Sequence, residues 1–184
     1  QRSGNTYASL IASRLFPDKK IVTHFHSISS IKLALRYNVP IVVIIRDPKE
    51  ALASSVVKRT DMKRHSLAKA IKYDLDEYLT YYNYVYMKKY SLNIILFTDL
   101  IHDTVRVFKF INSELGYLEI SDNIVKEAIR SSLSELESDK RQGGSRNLFS
   151  SFKEKRKTEL REYIDQMPEY VKAIELYNKF LKEN

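Results

Sequence analysis

Ile41-Val42-Val43-Ile44-Ile45-Arg46-Asp47-Pro48-Lys49-Glu50 is the part of the chain that sets its architecture. Five β-branched residues in a row, with no polar residue alternating among them, are the pattern of a strand buried on both faces of a parallel sheet. The residues that follow force a helix at once. Asp47 is placed to cap it, Pro48 suits the first helical position because its missing N–H would find no partner there, and Glu50 completes a capping box. The helix is predicted to reach about Arg59.

Upstream, Asn38-Val39-Pro40 closes a predicted helix from about Ile31 to Tyr37, with Ser27 or Ser29 as its cap, and Ile21-Val22-Thr23 reads as a short strand. The opening residues Arg2-Ser3-Gly4-Asn5-Thr6 form a small polar loop that turns into a helix running to about Leu15, which Pro17-Asp18 ends. Downstream, a long helix from Ser66 to about Tyr90 carries Tyr73, Tyr78, Tyr81, Tyr82, Tyr84, Tyr86 and Tyr90, a series that reads as core and packing rather than a pocket. Asn93 to Phe97 is the third strand. Asp103 begins a helix that Gly116 ends, and Ser121 caps another to about Arg130. Ser138 to Asn147, with Gly143-Gly144, reads as an exposed loop, and the tail is helical with Pro168 near the start of its last helix. Strands alternating with helices predict an α/β fold, a parallel sheet with right-handed crossovers flanked by helices, in one domain over residues 1–184.

Composition narrows the chemistry. The 184 residues include 31 Lys plus Arg against 23 Asp plus Glu, a net charge of +8, and no cysteine. Disulfide scaffolds, thiolate metal sites and cysteine nucleophiles are therefore excluded. The longest apolar run, Ile41 to Ile45, is too short to cross a bilayer, so no membrane span is expected. With no signal-peptide pattern and no Asn-x-Ser/Thr sequon, the expected location is the cytoplasm. The surplus positive charge suits an anionic partner, but the basic stretches Lys58 to Lys72 and Lys140 to Lys157 interleave no aromatics in a nucleic-acid motif, so no specific nucleic acid is expected. His24 and His26 alternate along one strand face without a third ligand, and no metal is expected.

Two places are built for phosphate. Arg2-Ser3-Gly4-Asn5-Thr6 offers a glycine for close backbone approach, hydroxyl donors, a cation and the amides of a helix N-terminus, without the lysine of the Walker A pattern. Arg46 stands at the carboxyl end of the buried strand, where ligands of open α/β sheets sit, and Ser54 follows eight residues later, two turns into the next helix. The arginine fork and the serine hydroxyl can reach one phosphate group.

Taken together these motifs resemble the sulfotransferases that use 3′-phosphoadenosine-5′-phosphosulfate (PAPS). Gln1-Arg2-Ser3-Gly4-Asn5-Thr6-Tyr7 stands where that family commonly has Pro-Lys-Ser-Gly-Thr-Thr-Trp on the 5′-phosphosulfate, and Arg46 with Ser54 matches its 3′-phosphate motif. Thr23-His24, 22 residues before Arg46, looks like the family's Thr-His, whose histidine is the catalytic base. Leu96-Phe97-Thr98-Asp99-Leu100 is similar to its Tyr-Glu-Asp-Leu segment, which implies Phe97 near the adenine. Ser131-Ser132-Leu133-Ser134-Glu135-Leu136 resembles its Thr-Ser-Phe-x-x-Met, implying Ser131 and Leu133 around the same ring, and Arg141-Gln142-Gly143 resembles the Arg-Lys-Gly that closes over the 3′-phosphate.

The resemblance implies a P-loop-like sulfotransferase fold. It also implies PAPS as donor, PAP as product, and a hydroxyl or amine acceptor. His24 would be the base and Arg2 would stabilise charge on the bridging oxygen, with Arg2, Ser3, Gly4, Asn5, Thr6 and Tyr7 on the nucleotide. A sulfuryl group carries less charge than a phosphoryl, so no metal is required. The chain departs from the pattern at Arg2 for lysine, Tyr7 for tryptophan and Gln142 for lysine, and in the short interval from Arg2 to His24. Two other readings of the same residues stay open: a P-loop-like nucleotide kinase or phosphotransferase, which would lack its Walker A lysine, and a non-catalytic nucleotide-binding module, which would have no use for His24.

Overall fold

A computed structural model describes residues 3–21, 27–61, 67–141 and 151–183, with the side chains of residues 3–4, 58–61, 139–141 and 151–156 excepted. The fold is mostly helical and α/β-like, with one small sheet of two parallel strands among the described residues. These are β1, Val42–Ile45, and β2, Asn93–Leu96. Parallel strands cannot be joined by a hairpin, so the chain between them is spent on two helices, α3 (Pro48–Asp61) and α4 (Leu67–Met87), and a 3-10 turn. Burial along β1 alternates: Val43 and Ile45 are buried, Val42 is exposed and Ile44 lies between. The expectation of a strand covered on both faces is thereby corrected. An unbroken apolar run does not distinguish a two-faced strand from one that leaves a face partly open.

The described residues gather into two compact units, each assembled from separate stretches of chain. One unit comprises Arg2–Ile44 and Tyr90–Leu148 and holds α1 (Ser3–Leu15), α2 (Ile28–Arg36), β2, α5 (Phe97–His102), α6 (Thr104–Glu114) and α7 (Asp122–Arg141). Its core joins Ile11 and Phe16, Ile95, Leu100, Val107, Phe108, Ile111, Val125 and Ala128. Arg14 ties α1 to α7, donating from Nη1 to Ser132 Oγ at 3.2 Å and from Nη2 to Glu135 Oε2 at 2.6 Å.

Two helices of this unit end by the same device. After α2 the N–H of Val39 reaches the Ala34 carbonyl and that of Asn38 the Leu35 carbonyl, with Asn38 at φ +52°. After α6, Tyr117 reaches Asn112 and Gly116 reaches Ser113, with Gly116 at φ +73°. Both are Schellman turns, which need a left-handed residue just past the helix; glycine adopts it freely and asparagine at small cost.

The other unit contains Ile45–Lys89 and Phe149–Asn184, that is α3, α4, α8 (Ser151–Asp165) and α9 (Tyr170–Glu183). Along α4 the buried residues Ala70, Ile71, Asp74, Leu75, Tyr78, Tyr82 and Val85 recur at three- and four-residue spacing, one face of a helix. The tyrosine series divides as expected of packing residues: Tyr78 and Tyr82 are buried, with rings 4.5 Å apart, whereas Tyr73 and Tyr90 are exposed.

Several boundaries move. α1 already begins at Ser3, so Ser3, Gly4, Asn5 and Thr6 form its first turns rather than a loop. α2 starts at Ile28, capped by Ser27, whose hydroxyl accepts from the Ser30 N–H. Phe97 opens α5 instead of ending the strand. α7 passes the predicted end at Arg130 and includes Ser138 to Arg141, read from sequence as loop. The serines that suggest a break are accommodated because Ser132, fully buried, donates to the Ala128 carbonyl one turn back. Ile21 is not in a strand, and the rest of the expected strand, Val22 and Thr23, falls outside the described residues.

Phe108 is completely buried at the centre of the first core. Its replacement by alanine is expected to cost about 3–5 kcal/mol, from lost burial and an unfilled cavity. Chemical denaturation would read this as a lowered midpoint at unchanged slope, and an unmoved midpoint would remove Phe108 from the core.

Candidate functional site

The turn between β1 and α3 is fixed from three sides. Asp47 Oδ1 accepts the Glu50 N–H at 3.0 Å, capping α3 as its sequence predicts, and Pro48 is the first helical residue. The buried Tyr78 of α4 donates its hydroxyl to the Arg46 carbonyl at 3.0 Å. Burial, and then the neighbouring Tyr82 and Asp47, push the Tyr78 hydroxyl well above the ordinary tyrosine range, so it stays a neutral donor.

Glu50 does not use its side chain as the capping box anticipates. Arg161 of α8 takes both carboxylate oxygens, Nε to Oε1 at 2.6 Å and Nη2 to Oε2 at 2.9 Å, a two-pronged pairing in which each N–H meets its own oxygen. Arg46 Nη2 lies 3.5 Å from Glu50 Oε2. Beside this pair Lys49 meets Asp165 at 2.7 Å. Lys157, Arg161 and Asp165 are each four residues apart on α8, one stripe of the helix, and it meets consecutive residues of α3 with complementary charge.

The spacing of Arg46 and Ser54 acquires a geometric meaning here. Glu50, in contact with Arg46, is four residues before Ser54 on α3, so the half-buried Ser54 is the next residue down the same helical face. The arginine, carboxylate and serine therefore form one line within one unit.

The remaining predicted site residues fall elsewhere. Asn5, Thr6 and Tyr7 are half-buried on α1 in the other unit, where the Tyr7 hydroxyl lies 3.3 Å from Thr104 Oγ1. Ser3 and Gly4 form the start of that helix. Phe97 packs against the core of the same unit. Ser131 is half-buried on α7 and donates to Glu127 Oε1 at 3.4 Å, and Leu133, two residues on, is largely exposed. Two residues apart on a helix, they do not share a face. Arg141 ends α7, its side chain undescribed; Arg2, His24, Gln142 and Gly143 lie outside the described residues. Among the described residues no three His, Asp or Glu gather as a metal site, and no helix is long and apolar enough to cross a membrane.

Sequence reasoning missed Arg161 and Tyr78 as builders of this site. Arg161 is 111 residues from Glu50, and the one available clue was the four-residue charge repeat on α8.

The hydrogen bond from Arg161, ahead of the guanidinium charges of Arg161 and Arg46 and the Lys157 ammonium, holds the Glu50 carboxyl below its ordinary pKa of 4.5 despite partial burial. A lowered folded-state value means the pairing stabilises fully above 4.5 and is lost as pH falls through the lower folded value. The stability gap between the native chain and Glu50→Gln should therefore be constant at neutral pH and close in acid below 4.5. Urea denaturation at stepped pH measures it, and a gap that widens in acid would contradict the assignment.

No family model matches the chain, and no curated protein or solved structure matches it.

Proposed function

We propose that the chain is a sulfotransferase on a P-loop-like sulfotransferase fold, moving the sulfuryl group of PAPS to a hydroxyl or amine. The observation that carries this reading is the line of Arg46 and Ser54 at the carboxyl end of β1, in the order and spacing of a 3′-phosphate motif. The Arg46 side chain, 18% exposed, lies at the head of α3, whose N-terminal dipole also favours an anion.

In this reading Arg46 and Ser54 hold the 3′-phosphate, and the segment Arg2 to Tyr7 is assigned to the 5′-phosphosulfate on the resemblance alone. PAPS supplies the activated sulfuryl group. Arg2 offsets the charge left on the bridging oxygen, and His24, a side chain whose usual pKa lies near neutrality, takes the proton from the acceptor. Phe97, Ser131 and Leu133 are assigned to the adenine and Arg141, Gln142 and Gly143 to the 3′-phosphate on the resemblance alone. Positioning and charge compensation suffice for the transfer, so no metal is invoked.

Isothermal titration should show PAP binding without metal and more tightly than ATP. Arg46→Ala should weaken PAP about tenfold to a hundredfold, the loss of a charge-assisted contact, while leaving AMP, which has no 3′-phosphate, nearly unchanged. His24→Ala should retain PAP affinity and lower turnover about a hundredfold or more. A preference for Mg-ATP would overturn the proposal in favour of a nucleotide kinase.

A further inference from the structure

The Nε of Arg46 is fully buried, so a ligand reaches this guanidinium only through its two Nη nitrogens. End-on pairing, one phosphate oxygen to each Nη, is the geometry this leaves. Where the Nη groups point depends on the backbone that carries the enclosed stem. Glu50 and Ala51 direct their N–H groups to Asp47, one to its carboxylate and the other to its carbonyl, and Pro48 has no N–H to give. The Arg46 carbonyl takes a donor from another element, the Tyr78 hydroxyl of α4 at 3.0 Å, 32 residues away in sequence. Tyr78 is 4% exposed, and its ring packs 4.5 Å from Tyr82, which meets Phe180 of α9 edge-on at 6.4 Å. Core packing thus sets the place of this hydroxyl, and a ligand cannot touch it.

We infer that Tyr78 is a positioning residue for the anion site: its hydroxyl fixes the Arg46 peptide, and through it the direction of the Nη groups, so that affinity for a 3′-phosphate is partly set from the core. The two parallel bonds of a guanidinium and a phosphate tolerate little misalignment, and an arginine that swings freely loses more entropy when it is captured. The Tyr78 bond orders Arg46 beforehand. The inference rests on the sulfotransferase reading, which supplies the 3′-phosphate.

Titration of the full chain with PAP and AMP, run below the melting transition of every variant, tests this. Tyr78→Phe keeps the ring, removes one hydrogen bond and should weaken PAP about threefold to tenfold with AMP affinity retained. Tyr78 acts through Arg46, so in an Arg46→Ala background the same change should alter PAP affinity by less than about twofold. Ile71→Val, which trims a fully buried residue of the same helix, should lower the melting temperature with both affinities retained, separating lost stability from lost positioning. If Arg46→Ala weakens PAP but Tyr78→Phe leaves it unchanged, weakens PAP and AMP alike, or acts equally in both backgrounds, the inference is overturned and the sulfotransferase reading survives. If Arg46→Ala leaves PAP binding unchanged, both fall.

Discussion

β1 turns into α3 across only two residues, and the side chains available to the site all take their bearings from that turn. The Asp47 carboxylate accepts the Glu50 N–H, Pro48 supplies a helical φ at no donor cost, and Tyr78 holds the Arg46 carbonyl. With the backbone fixed at both ends of Arg46, its guanidinium is confined to the head of α3. Glu50 and Ser54 then follow at one-turn intervals. A loosely held turn would leave these groups the same charges without a common direction.

That turn was legible in sequence because each of its residues acts locally. A β-branched run, a carboxylate cap and a proline specify strand, stop and helix without reference to distant chain, and the ends of α2 and α6 are equally local, written in Asn38 and Gly116. The partner of Glu50 was not legible. A glutamate three residues after a cap is the usual capping-box residue, and only folding brings Arg161 from 111 residues away to claim it. The length of α7 was hidden by serines that favour turns in isolation, a tendency overridden by the burial of Ser132 and its bond to Ala128.

The same distinction governs the residues proposed for the nucleotide. Arg46 and Ser54 are joined by helical periodicity, a relation that sequence states fully. Phe97, Ser131 and Leu133 entered through resemblance of short segments, and periodicity does not join them: Phe97 serves a core, Ser131 pairs with Glu127 and Leu133 faces outward. Tyr7, expected at the nucleotide, is likewise engaged beside Thr104.

The discontinuous make-up of the helical unit has a consequence for biosynthesis. α3 and α4 leave the ribosome before residues 90–148 are made, and α8 and α9, which belong to the same unit, come only after them. Until then the rings of Tyr82 and Tyr86 on α4 have no Phe180 of α9 against them, and Glu50 has no arginine from α8. Nascent chains halted in this interval expose a sticky tyrosine-rich surface to chaperones or to one another. Completion of the last two helices is thus the event that covers this surface and gives Glu50 its arginine.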